Sequence, residues 1–344
     1  MRRTLLTTAA VLALALCASP ARAQRADEYL TLVREYAAGQ GADAVLRLSR
    51  WSQPDVTNVT AQSGTAFSPD DFAAAAMLHT ELASGFVDAD PFRADFHITT
   101  ARALLGAWTA QPRTRERALG FTRRWYQLVA SMFAGAGWPE NAMWYVRTGL
   151  AAFPADSMLY VVRGSIAEMS ARLKFVPDLR QRLPEDPSRR AQIERALKPA
   201  TSAYLLAAQA DDRNAVAWLH VGWIEFLLED KQAKERFDKA LALAGDDSVR
   251  YLAHLFLGGI AERQNHQADA LREYEAARAA GAQHQTPYIA ISRVEESLGH
   301  TDRARGAALQ GAQLQKDDDD PWWDFRIVFD RPALTWLRAE ARRR

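Results

Sequence analysis

Residues 215–245 read AVAWLHVGWIEFLLEDKQAKERFDKALALAG. The spacing of apolar and small residues in this stretch describes two helices and a turn. Trp218 and Gly222 lie four residues apart, on one face of an amphipathic helix. Ala233, Phe237 and Ala240 are separated by four and then three residues, which puts a small residue, an aromatic and a small residue on one face of a second helix. Small residues let paired helices approach closely, and the aromatic fills the space between neighbouring pairs. Gly245-Asp246-Asp247 then ends the unit.

The pattern recurs on both sides. Leu257-Gly258 is followed by Ala270, Tyr274 and Ala277. Tyr288 and Ile291 are followed, after a turn at Gly299, by Ala304, Ala308 and Gly311. Upstream, Tyr126, Val129, Ala130 and Phe133 precede a turn at Gly137, then Ala142, Val146, Gly149 and Pro154. Tyr160 and Gly164 come next, with their second helix displaced to Ala200, Tyr204 and Ala207. These residues resemble the tetratricopeptide repeat (TPR), whose unit of about 34 residues carries an aromatic and a Leu-Gly pair, then Ala, an aromatic, Ala and a closing Pro. Units start at Arg123, Ser157 and Ala215, and near Tyr251 and Gln285. No one of these residues is diagnostic; their agreement in phase is. The resemblance implies an all-α fold, an α-α superhelix of stacked antiparallel helix pairs. It covers 123–316 with about five units, interrupted by a charged, Pro-containing insertion near 171–194, read as a short extra helix or a lid.

The flanks are less regular. Residues 24–122 form an N-terminal helical region. Asp27 to Ala38 and Asp43 to Trp51 read as a degenerate first repeat around the Gly39–Gly41 turn, and Ser52 to Ser68 as a polar, non-periodic linker. Ser68-Pro69-Asp70-Asp71 is a strong helix start, with a cap, an early Pro and acids in the first turn. Helices follow through Ala73 to Ala83 and through His97 to Trp108. Residues 317–344 hold the aspartates Asp317 to Asp320, the aromatic run Trp322, Trp323 and Phe325, and a basic helix from Pro332 to Arg344. The aromatic run is expected to cap the last repeat.

Residues 1–23 read as a signal peptide: Arg2 and Arg3, an uncharged stretch from Leu5 to Ala18, and Ala21-Arg22-Ala23 before the expected cut. The expected location is therefore periplasmic or secreted. Cys17 is the only cysteine, so the mature chain would have neither disulfides nor thiolate ligands. Basic and acidic residues nearly balance, 43 against 42, which removes the electrostatic reason to bind nucleic acid.

Catalytic signatures are missing from the sequence. There is no His-Glu-x-x-His, phosphate loop, dinucleotide fingerprint or Gly-x-Ser-x-Gly elbow. His79-Thr80-Glu81 lacks the Cys-x-x-Cys that the deaminase motif needs, so His79 reads as a core or interface residue. Asp317 to Asp320 lacks the spacers and glycine of a calcium loop and reads as a solvated helix start. The expectation is a protein that is not an enzyme and holds no cofactor or metal.

In the family resembled, the first helix of each unit lines a concave binding face. Carried across unit by unit, the groove positions are Arg124, Gln127 and Ser131; Met158, Val161 and Glu168; Leu219, Trp223 and Phe226; Leu255, Glu262 and Arg263; and Ile289, Arg293 and Glu296. Arg124, Gln127, Glu168, Leu219, Trp223, Phe226, Glu262, Arg263, Arg293 and Glu296 are the partner-contact candidates, with Trp223 and Phe226 as an apolar centre inside a charged rim. The resemblance implies an exported scaffold for a protein or peptide partner. The alternative is an enzyme or solute-binding accessory with a pocket under the insertion or the N-terminal helices. Whether the centre is open, or filled by the insertion or the tryptophan tail, is left undecided by the sequence.

Overall fold

A computed structural model describes residues 20–63, 67–171, 182–314, 320–321, 325 and 331–343. The signal-peptide reading, most of the first half of the insertion, Trp322, Trp323 and Asp317 to Asp319 lie outside the described residues. Among those described there are sixteen α-helices and no strand. The chain divides into two compact units, one of residues 1–132 with 330–344 and one of residues 133–329.

The second unit is built on the glycine–aromatic contact that the opening stretch encodes. Its helices are α7 (Pro139–Ala152), α8 (Ser157–Ser170), α9 (Pro187–Ala210), α10 (Ala215–Leu227), α11 (Ala233–Leu243), α12 (Asp247–Arg263), α13 (Gln267–Ala280), α14 (Thr286–Ser297) and α15 (Thr301–Gln313). Gly222 of α10 lies so close to α11 that a Cβ there would sit 2.8 Å from the Phe237 ring, and a Cβ on Gly258 of α12 would sit 2.5 Å from Tyr274 of α13. Gly164 of α8 makes the same approach to Tyr204 of α9. Real carbon atoms keep about 3.5 Å or more apart, so only glycine admits these rings. Each of these three hairpins is thereby pulled to close contact at one equivalent point.

The pairs stack in series. α7 packs on α8, α9 on α10, α11 on α12 and α13 on α14, so each second helix leans on the first helix of the next pair. α10 also touches the first helices before and after it, α8 and α12, whereas among the described residues no two second helices pack comparably. A stack whose first helices converge curves around them, which makes their face the inner one. This is the TPR type of architecture. The turns repeat even where the sequence does not: Glu229 and Asn265 take positive φ (58° and 62°) at the place that Gly299 (76°) fills in the last pair. The second half of the insertion is the front of α9, started by Asp186, whose side chain accepts from Arg189 N, and by Pro187.

The first unit holds α1 (Pro20–Ala37), α2 (Gly41–Leu48), α3 (Gln53–Ser63), α4 (Pro69–Ser84), α5 (Pro91–Thr109), α6 (Arg115–Gly135, up to Met132) and α16 (Arg331–Ala341). α1 pairs with α2 and α4 with α5, and α16 packs on α4. Ser68 caps α4 as its sequence predicts: its hydroxyl accepts from Asp71 N, and its own N–H donates to the Asp71 carboxylate at 2.8 Å. The segment from Ser52 to Ser68 departs from the linker reading, because most of it is α3. Val56 and Val59, three apart, are buried there, and the Ser52 hydroxyl donates to Asp55. Two apolar residues are too few to show a period in the sequence, yet they suffice once α1 and α5 supply the surface.

Candidate functional site

The inner face of the second unit is organised by acids one turn beyond the contact glycines. Glu168 follows Gly164 by four residues and Glu262 follows Gly258 by four, so each stands over its glycine on the same helix face. The Tyr204 hydroxyl donates to Glu168 at 3.0 Å, and the Tyr274 hydroxyl to Glu262 at 2.8 Å. Burial, reinforced by the Glu262 charge, holds the Tyr274 phenol well above its ordinary range, so it stays protonated and a donor. Glu168 also accepts from Trp223 Nε1 at 3.0 Å, and Glu262 takes a two-pronged contact from Arg293 at 2.8 and 2.6 Å. In the pair between them Phe237 replaces the tyrosine and Phe226 replaces the acid, and the two phenyl rings meet edge to face at 6.4 Å.

The middle of this face is filled. Leu219, Trp223 and Phe226 sit at the expected register and are buried. Phe325 covers Trp223: its ring stacks on His220 at 4.3 Å, meets Trp223 at 5.6 Å and Phe256 at 5.1 Å, and is 6% exposed. His220 is sandwiched between Phe325 and Tyr204, and burial pushes its imidazole down to about 3, so it is neutral. The Arg263 guanidinium lies 3.5 Å over Phe226. Asp320 is 1% exposed and accepts from the hydroxyls of Tyr251 (2.9 Å) and Thr286 (2.6 Å). Its neighbours in sequence read as a solvated helix start, and Asp320 itself departs from that reading because the buried Tyr251 hydroxyl and the half-buried Thr286 hydroxyl both donate to it. The sequence left open whether the centre is vacant or filled by the insertion or this tail; Phe325 of the tail fills it, seated on α10 and α12. The readable signal was that His220 and Phe256 each stand two residues before a contact glycine.

The last pair is built differently and, among the described residues, stays open. Ser292 stands where the glycine would be and Ala308 where the aromatic would be. A cavity of about 880 Å³ lies there, bounded by Ser292, Ala308 and the candidates Arg293 and Glu296. Ile289, one turn before Arg293, is 57% exposed at its edge. A smaller cavity of about 490 Å³ lies beside Phe226 and Arg263, at the α10–α11 turn.

The remaining candidates, Arg124 and Gln127, belong to the first unit. Arg124 lies 4.0 Å over the Trp336 ring and Gln127 is buried. His79 and Glu81 of α4 have separate partners. His79 is sealed in the core, hydrogen-bonded to Tyr29 at 2.9 Å and to His97 at 3.0 Å; Glu81 accepts from Tyr36 and pairs with Arg338, both at 2.7 Å. Burial lowers both imidazoles, His97 to about 4, with Arg93 adding to the effect there and His97 adding to it at His79.

No family model matches this sequence, and no curated protein does. Among solved structures, a monomeric mutant of IFIT1 with Gppp-AAAA aligns at 13% identity and a TM-score of 0.41, over 81% of this chain and 63% of that one. The human IFIT1 dimer with m7Gppp-AAAA aligns at 13% identity and 0.40, over 82% and 64%. Yeast Tom70 aligns at 12% identity and 0.18, over 91% and 96%. This chain thus spans less than two thirds of those two IFIT1 structures. Likenesses this distant bear on neither ligand nor activity. No helix among the described residues is long and apolar enough to cross a membrane.

Proposed function

We propose that this chain is a non-catalytic, exported scaffold that binds a protein or peptide on the inner face of its second unit, at the last helix pair. One observation carries this reading. Among the described residues, the same inner face is packed by the chain's own side chains at its middle and left open at its end, where Ile289, Arg293 and Glu296 border a cavity of about 880 Å³. That volume falls within the range of about 300–1,000 Å³ typical of ligand sites. An apolar floor beside fixed charge is what a peptide side chain needs for affinity and register. The expectation of export rests on the N-terminal sequence, and that of no catalysis on the missing motifs.

The test is capture of a partner by the immobilised chain, compared with Ile289→Asp. Ile289 is 57% exposed, so the substitution leaves the fold intact while putting a charge on the rim. The partner should be lost and the melting temperature kept. Equal retention by both forms would move the site elsewhere. Substituting Trp223 and Phe226 is a poor test, since both are buried and each truncation costs about 3–5 kcal/mol of stability.

A further inference from the structure

The four hairpins from α8 to α15 repeat one three-residue device, and the last of them is incomplete. In α8–α9 and α12–α13 a glycine admits a tyrosine ring, and the acid four residues beyond the glycine takes the phenol proton. In α10–α11 ring and acid change together, to Phe237 and Phe226, so no hydroxyl is left without an acceptor. In α14–α15 the acid is kept, as Glu296, while the ring is reduced to Ala308. Ser292, Glu296 and Ala308 all line the 880 Å³ cavity.

We propose that Glu296 and the space above Ala308 form a receptor for a tyrosine side chain of a partner polypeptide, its ring against Ala308 and its hydroxyl donating to the Glu296 carboxylate. This rests on the reading of the last pair as the binding site and adds the chemistry of the ligand. The occupant is argued from within the molecule, since the same acid at the same register holds a tyrosine in two of the three preceding hairpins. The cavity is roomier than one ring, which leaves space for the backbone that carries it. A phenylalanine would fill the apolar part but offer the carboxylate no donor in place of the water it displaces, and sites built to bond a hydroxyl discriminate against its absence.

The test uses the full chain and p-cresol as the probe, with toluene as its hydroxyl-free counterpart, followed by ligand-observed NMR titration. A ligand of this size binds in about the millimolar range. p-Cresol should bind at least tenfold more tightly than toluene. Glu296→Leu should abolish that preference and Glu296→Gln, which keeps an acceptor, should retain part of it. Ala308→Phe should block both probes, and the double variant Ser292→Gly/Ala308→Tyr, which supplies the missing ring in cis, should block both and raise the melting temperature. Equal binding of the two probes, or p-cresol binding unchanged by Ala308→Phe, overturns the proposal. If the probes fail in this way while Ile289→Asp still abolishes partner capture, the binding face stands and only its tyrosine chemistry is lost. The converse pattern refutes the binding face as the partner site and leaves the phenol receptor.

Discussion

Gly258→Ala is expected to destabilise the second unit although alanine is the better helix former. In a helix interior the exchange by itself gains about 1 kcal/mol. Against it stands the Tyr274 ring, three of whose atoms lie 2.5, 2.6 and 3.0 Å from the new Cβ position. The ring is fully buried, and its hydroxyl is held by Glu262, which Arg293 holds in turn. To reach ordinary contact it must retreat by about 1 Å into a packed core, and overpacking of that kind costs about 1–3 kcal/mol. Weakening the Tyr274–Glu262 bond adds about 1 kcal/mol. The net expectation is a loss of about 2 kcal/mol, a fall of about 4–8 °C in melting temperature for a unit of this size. Gly306 of α15, with nothing within 4 Å of its Cβ position, is the control, and Gly306→Ala should stabilise by about 0.5–1 kcal/mol. Urea denaturation followed by far-ultraviolet circular dichroism measures both. Adding Tyr274→Leu should remove most of the Gly258→Ala penalty, with a coupling of about 1 kcal/mol or more. A Gly258→Ala protein as stable as the parent, or a penalty unchanged in the Tyr274→Leu background, would refute the account of why the hairpins close.

Three further outcomes follow from the burial and hydrogen bonding of polar groups. His220 is held neutral in the fold at about 3, against about 6.5 when unfolded, so between those values the unfolded chain binds the extra proton. Its contribution is intact above about pH 6.5, shrinks as pH falls toward 3 and amounts to roughly 3 kcal/mol lost between pH 7 and pH 4; His220→Phe, matching Phe256 one unit on, should flatten that part of the pH dependence of the urea midpoint. Ser68→Ala removes the side-chain acceptor for Asp71 N and should cost the first unit about 1 kcal/mol in chemical denaturation. Asp320→Ala strands the hydroxyls of Tyr251 and Thr286 at a cost of about 1–3 kcal/mol, and amide hydrogen exchange should quicken across α14 and α15; unchanged exchange there would mean that the carboxylate does not pin the last pair.

The fold was legible where one residue dictates one contact. Gly222 and Phe237 are readable because glycine admits a ring whatever surrounds them, and the same logic located Gly164, Tyr204, Gly258 and Tyr274. Features that depend on a surface supplied by distant residues were not. α3 forms because α1 and α5 receive Val56 and Val59, and a stretch with two apolar residues carries no period of its own. The turns at Glu229 and Asn265 hide in the sequence, since neither residue is a glycine and the left-handed backbone is imposed by the helices on either side. At the site, register was legible and exposure was not. Trp223 and Phe226 stand where the repeat places them, but Phe325, about a hundred residues further along the chain, lies against the Trp223 ring, and Arg263 lies over Phe226. Side-chain spacing within a helix carries no information about that cover.

The difference between the middle and the end of the array follows from how its polar groups are satisfied. A tyrosine buried in a hairpin needs an acceptor, and an acid buried beside it needs a donor, so each is tolerated only with the other. Where α10–α11 gives up the hydroxyl it gives up the acid too, and the face there becomes apolar enough to take Phe325. Where α14–α15 gives up the ring and keeps the acid, Glu296 stays exposed and the pair loses the side chain that elsewhere fills it. Such a pair is short of apolar packing, and Asp320 meets part of the deficit by joining Thr286 at the start of α14 to Tyr251 of α12. The last hairpin is thus held in place from its N-terminal end while, among the described residues, a cavity stays open beside Ser292 and Ala308. A hairpin merely decaying at the end of an array has no reason to keep an acid at the register that elsewhere holds a phenol, whereas a hairpin that receives its ring from another molecule does.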